Sequence, residues 1–157
     1  MMTRHSLLIQ FIVFVPLFSF AQLKGKVIAI ANGDTFTILT DDKQHLQIGL
    51  FGIDCPEMGQ DYSHEAKDYL GDLIFFDTVQ VAIKGKDDSG RTLGVVTMFN
   101  TNVNERMLQK GLAWHDIKAD NNPLWTAYEN KAKQFKKGLW SKPNPIPPWQ
   151  WRNAHKN

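Results

Sequence analysis

Apolar and polar residues alternate through much of the first half of the chain. Phe36 and Ile38 stand against Thr35 and Thr37, and Leu46, Ile48 and Leu50 stand against His45, Gln47 and Gly49. A period of two predicts half-buried strands. Asn32 and Gly33 mark a turn between a strand over residues 24–31 and one opened by Asp34, and Asp41 with Asp42 begins the next reversal. A three-strand meander is expected. Two more strands follow, one with Val79, Val81 and Ile83 on a single face, the other over residues 91–99 after the polar turn of Asp87, Asp88, Ser89 and Gly90.

The period changes to three-and-four in three places. Ala66, Tyr69, Leu70, Leu73 and Ile74 form one buried helical face. A short helix over 103–110 has Asn102 as N-cap, Glu105 placed to complete a capping box and Gly111 past its end. A third begins at Asn122 and Pro123, is expected to bury Leu124, Tyr128, Ala132 and Phe135, gathers lysines near its C-terminus and stops at Gly138. Five strands interrupted by one helix and followed by two more predict an α+β fold, a five-stranded OB-type β-barrel with three helices.

Both ends of the chain differ from this middle. Arg4 and His5 precede an apolar run over residues 7–20, and the small residues Ser19 and Ala21 precede a polar stretch. That order predicts a signal peptide over residues 1–21. A spanning helix needs roughly 20 apolar residues, so stable membrane association after cleavage is not expected and the protein is expected to be secreted or periplasmic. At the other end PNPIPPWQWR is too rich in proline for a helix or a central strand, and residues 143–157 are expected to form an extended strap pinned to the domain by Trp149 and Trp151. A partner-binding peptide is the alternative use of that segment.

Charge narrows the choice of partners. Lysine and arginine number 18 against 16 acidic residues; without residues 1–21, which carry only Arg4, the balance is 17 against 16. Coating nucleic acid by bulk charge is therefore excluded, and an anionic substrate must be held locally. The lone cysteine, Cys55, excludes an internal disulfide, and the five histidines show no zinc-ligand spacing. The 136 remaining residues suffice for one domain and a monomer with a single core, residues 22–142.

The candidate chemistry lies in two acidic loops. Asp34 follows Asn32 and Gly33, and Asp54 and Glu57 flank Cys55 and Pro56, where the proline holds both carboxylates on one irregular loop. By itself each is an ordinary turn residue. Together they make an oxygen-only set suited to Ca²⁺ or Mg²⁺ rather than zinc. Arg91, after Gly90, either pairs with Asp87 or Asp88 or offers a planar fork to a phosphate. Acidic neighbours disfavour a thiolate at Cys55, so a buried, inert thiol is expected.

The motifs NGDT, GIDCPE, EAK, D-x-SGR-x-L, VNE, KGLAWH, KGLW and PNPIPPWQWR, in this order, closely resemble the staphylococcal nuclease (thermonuclease) family of OB-fold nucleases, often exported by bacteria. The resemblance covers nearly all of residues 22–157. It implies a Ca²⁺ held by Asp34, Asp54 and the backbone carbonyl of Cys55, with Glu57 activating or positioning the attacking water and Arg91 as one of two arginines on the phosphate. The second arginine is expected five residues before Asp54, where this chain has Gly49. Two tyrosines common in the family are replaced as well, by Ser89 and by Asp116.

The implied activity is Ca²⁺-dependent hydrolysis of phosphodiesters in DNA or RNA, weakened by Gly49 unless another side chain supplies the cation, with Lys43, Lys84 and Lys86 as candidates. The alternative is a catalytically degenerate barrel that binds single-stranded nucleic acid or another oligomer.

Overall fold

Val27, Phe36, Ile38, Ile48, Val79, Val81 and Val96 are fully buried, each at an inward position of the alternating pattern. The computed structural model that places them describes residues 22–155; the expected signal peptide, residues 1–21, lies outside these. Strands β1 (Gln22–Ile30), β2 (Thr35–Thr40) and β3 (His45–Leu50) form the expected meander. A two-residue strand, β4 (Ile53–Asp54), leads to helix α1 (Ser63–Ile74), then to β5 (Thr78–Lys86) and β6 (Thr92–Met98). Next come β7 (Thr101–Asn102), α2 (Val103–Lys110), β8 (Trp114–His115) and α3 (Pro123–Gln134). One turn of 3-10 helix (Gly138–Ser141) and a fourth helix, α4 (Pro148–Ala154), complete the described chain.

The sheet runs β3-β2-β1-β5-β6-β7, and a parallel pairing of β3 with β6 joins Ile48, Gly49 and Leu50 to Thr92, Leu93 and Gly94. That pairing closes five strands into the expected OB-type barrel and removes their open edges. Between β5 and β6 the strands approach closely at Gly94, where a Cβ would collide with Cγ1 of Val81 and lie 3.0 Å from the carbonyl oxygen of Ala82. At Ile83, where the register shift toward Gly85 begins, β5 leaves the core, so Ile83, expected inside, is exposed.

Helix α2 has the expected Asn102 cap, whose side chain accepts the Glu105 N–H at 3.2 Å, and ends at Gly111 with φ 76°. The Glu105 carboxylate does not complete the capping box. It accepts the indole N–H of Trp125 at 3.2 Å instead, joining α2 to α3. Trp125 also sets the rotation of α3: with this large side chain inward, Glu129 and Ala132 follow it into the interior while Leu124 and Phe135, expected inside, face solvent. The helix ends at Gln134 and not at Gly138, which opens the 3-10 turn that docks through Leu139 N–H to the Gly111 carbonyl.

The fourth helix corrects the expectation of a wholly extended tail. Pro147 and Pro148 occupy the N-cap and first helical positions, where a missing N–H costs nothing and the fixed φ favours helix entry. No proline follows, so Trp149–Arg152 can coil. The tail is fastened to the loop after Glu57: Gln60 Nε2 donates to the Ile146 carbonyl at 2.9 Å, and the Tyr62 and Ser141 hydroxyls lie 2.7 Å apart. Trp151 lies against Gly59, whereas Trp149 stays two-fifths exposed and does not serve as the expected pin.

Asn104, fully buried in VNE, accepts the Val96 N–H at 3.0 Å and donates to the Phe51 carbonyl at 2.8 Å. It thereby links α2, β6 and the segment that carries Asp54. Asn104→Ala orphans both backbone groups and should destabilise the protein by about 2–4 kcal/mol. Urea unfolding checks this through a lower midpoint at unchanged slope; an unchanged midpoint contradicts it.

Candidate functional site

The NGDT turn aims Asp34 across the barrel mouth. Asn32 Oδ1 accepts the Asp34 N–H at 3.1 Å, and the Asp34 carbonyl accepts the Leu50 N–H at 2.8 Å. Its carboxylate takes the Thr35 hydroxyl at 2.9 Å on Oδ1 and the Cys55 N–H at 2.9 Å on Oδ2. Two loops 21 residues apart are thus joined by one side chain. Although Asp34 retains some solvent exposure, its surroundings are close enough that burial pushes the carboxyl up to about 6, with the Asp54 charge adding to the rise.

Asp54 is positioned by the β4–β8 pair, opposite Trp114. Beyond Pro56 the loop turns on Gln60, whose side-chain oxygen accepts the Glu57 N–H at 2.7 Å. Burial raises Asp54 above the ordinary carboxyl range, Glu57 and Asp116 push in the same direction, and Arg152 opposes them. Cys55 is a buried free thiol, raised well above its ordinary pKa first by burial and then by Asp34, Asp54 and Glu57.

Arg91 takes the expected pairing with Asp87 and adds a bond to Thr35 that the sequence did not indicate. Its Nε donates to Asp87 Oδ2 at 2.8 Å, and Nη1 donates to the Thr35 hydroxyl. Asp87 Oδ1 gathers the N–H and hydroxyl of Ser89 and the N–H of Arg91, so Ser89 serves the turn that presents the guanidinium. Gly49 projects nothing beside it: a Cβ there would lie 2.7 Å from Leu93 Cδ2 and 3.2 Å from Arg91 Nε.

Asp34, Asp54, Glu57 and Arg91 thus line one open groove of about 580 Å³, with Gly49, Asp87, Asp88 and Asp116 on its walls. The volume suits a nucleotide-sized ligand. Lys43, Lys84 and Lys86 do not line it: Lys43 sits in the β2–β3 turn and the other two are exposed on β5. The second cation lining it is Arg152, from α4. Its Nη1 and Nη2 donate to the two oxygens of Asp54 at 3.1 and 2.8 Å, and Nη1 also reaches Glu57 Oε1. Sequence reasoning overlooked Arg152 because the prolines before it suggested an extended strap; a basic residue one helical turn after Pro148 was the available signal.

Among the described residues no three His, Cys, Asp or Glu side chains stand close enough to enclose a metal ion. Burial raises both Asp34 and Asp54, and the Asp54 charge adds to the rise at Asp34. Two such hard oxygen donors fit a hard divalent cation whose remaining ligands are carbonyl, water or phosphate oxygens.

Two tests follow from this geometry. The Ser89 hydroxyl and then the Arg91 N–H and guanidinium hold Asp87 at about 2, below its ordinary 3.8. A depressed carboxyl stabilises the fold fully above 3.8 and loses that contribution as the pH falls through about 2. The Arg91 Nε–H resonance should therefore persist at pH 4 and fade only near pH 2; loss at pH 4 contradicts the arrangement. Cys55 should resist alkylation in the folded protein and react after unfolding.

Comparison with known proteins gives a consistent answer. The family model described as staphylococcal nuclease homologue matches residues 47–142, which include Asp54, Glu57 and Arg91 but neither Asp34 nor Arg152. A micrococcal nuclease from Shigella flexneri is 40% identical over 159 aligned positions, 93% of this chain and 88% of that protein. An uncharacterized endonuclease from Escherichia coli O157:H7 is 37% identical over 134 positions, covering 85% and 87%. One from Haemophilus influenzae is 37% identical over 131, covering 83% and 74%. With barrel and acidic groove in place, these matches establish that the chain belongs to the staphylococcal nuclease family.

Proposed function

We propose that the protein is an endonuclease that hydrolyses phosphodiesters of DNA or RNA with the help of Ca²⁺. The observation that carries this reading is the convergence of Asp34, Asp54, Glu57 and Arg91 on one groove. The endonuclease relatives, similar over most of their length, support it. Asp34 and Asp54, with the Cys55 carbonyl, would hold the ion, and the chemistry it would supply there is Lewis-acid polarisation of the phosphate.

The protein's own groups do the rest. Glu57, on a loop braced by Gln60, accepts a proton from the attacking water or fixes its direction. Arg91, oriented through Asp87 and Thr35, donates to the phosphoryl oxygens as negative charge grows on them. Because Asp87 and Thr35 constrain the guanidinium beforehand, little reorganisation is needed when the substrate arrives.

One observation favours a second reading, a groove that binds nucleic acid without cutting it. Arg152 engages both Asp54 and Glu57, the groups that hydrolysis needs. Incubating residues 22–157 with single-stranded DNA in Ca²⁺ and in chelator separates the two readings. Cleavage should require Ca²⁺ and fall about 10²–10⁴-fold in Glu57→Gln. Binding without cleavage supports the second reading, and cleavage indifferent to chelator overturns the metal assignment.

A further inference from the structure

Resting on the nuclease reading, we propose that Arg152 is a second phosphate-contacting residue, supplied by the C-terminal helix where Gly49 leaves the barrel wall bare. Six carboxylates line the groove: Asp34, Asp54, Glu57, Asp87, Asp88 and Asp116. Among the described residues only Arg91 and Arg152 oppose them there, and Arg91 is committed through Nε and Nη1 to Asp87 and Thr35. Even with a divalent ion on Asp34 and Asp54, a phosphodiester approaching Glu57 faces that carboxylate with Asp88 and Asp116 on the same walls, and a cation at Glu57 itself lowers the repulsion. Arg152 stands there.

The geometry of its guanidinium identifies the contact. The end-on fork, Nη1 and Nη2, grips both oxygens of Asp54, and the second Nη1 hydrogen serves Glu57. Among the described residues no acceptor takes the Nε–H, which together with the outer Nη2 hydrogen makes a second, side-on fork. That edge matches two oxygens of one phosphate. The side chain is 46% exposed, so the edge is accessible, while its end-on contacts fix where it points. Asp54 can share its oxygens between the guanidinium and an ion, or yield them to the ion while Glu57 retains Nη1.

The surrounding structure is built to keep Arg152 in place. The Gln60 side chain accepts the Glu57 N–H and donates to the Ile146 carbonyl, so the loop carrying Glu57 and the segment entering α4 share one brace. Trp151 lies against Gly59 of the same loop. Arg152 and Asp116 also line the adjoining cleft with Trp149 and Lys118, so the guanidinium stands where two concave surfaces meet and a polynucleotide backbone can pass from one to the other.

The test uses residues 22–157 as wild type, Arg152→Ala, Arg152→Gln, Gly49→Arg and the Gly49→Arg/Arg152→Ala double variant. Each is assayed for Ca²⁺-dependent cleavage of single-stranded DNA, for calorimetric affinity toward a nucleoside 3′,5′-bisphosphate, and for thermal melting to verify folding. Arg152→Ala should lower kcat/KM by about 10²-fold or more. Bisphosphate affinity should fall at least about tenfold, the scale of one lost charge-assisted contact. Arg152→Gln, which keeps a donor near Asp54 without the charge, should show the same losses if the alanine variant fails to fold. Restoring an arginine at Gly49 in the Arg152→Ala background should recover part of both, with Leu93 Cδ2 moving aside.

Folded Arg152 variants that cleave and bind the bisphosphate like wild type overturn the proposal. So does faster cleavage in Arg152→Ala, which makes Arg152 a latch over Asp54 and Glu57. A wild type that never cleaves sinks the nuclease reading instead, while the bisphosphate affinities still decide whether Arg152 contacts phosphate.

Discussion

The carboxylate of Asp34 is the node on which this groove depends. It accepts the Cys55 N–H on one oxygen and the Thr35 hydroxyl on the other. Thr35 in turn accepts Nη1 of Arg91, whose Nε is held by Asp87. A single hydrogen-bonded series thus runs from the loop of Asp54 to the turn that presents the arginine, and its links lie on β2, at the end of β4 and ahead of β6. Charge-assisted bonds are the stronger ones, and each fixes the direction of the next.

That order carries an electrostatic cost. Asp34, raised from 3.8 to about 6, stays ionised at neutral pH at an expense on the order of 2–3 kcal/mol, absent below 3.8 and complete above about 6. The barrel offsets it through burial of the inward faces of its strands and α1, through the parallel β3–β6 seam, and through the close β5–β6 approach that Gly94 permits. A stiff cylinder with a strained, acidic mouth is the result. Such strain persists at sites where a cation or a ligand later relieves it.

The two arginines of the groove are held by opposite means. Arg91 is held mainly by its own turn, with Asp87 only four residues away, and needs β2 only for the Thr35 hydroxyl. Arg152 is remote, 98 residues beyond Asp54, and reaches it only because the tail folds back over Gln60, Tyr62 and Gly59. A mainly local device tolerates change in most of the chain. The remote one makes the groove's composition depend on how the tail docks.

Period-two alternation, polar turns and helix caps are properties of neighbouring residues, so the sequence by itself determined the five barrel strands, the Asn102 and Asn122 caps and the acidic character of the NGDT and GIDCPE loops. Other features were set by contacts between distant residues. Trp125 turned α3 onto a different face by bonding Glu105, the β5 register shift carried Ile83 outward, and Glu105 left its capping role for an indole. The groove's second cation belongs to this class. Gly49 showed that a side chain was absent, but only the docking of α4 decided that Arg152 would enter the groove at Asp54 and Glu57, because local sequence does not encode where a chain end comes to rest on a folded surface.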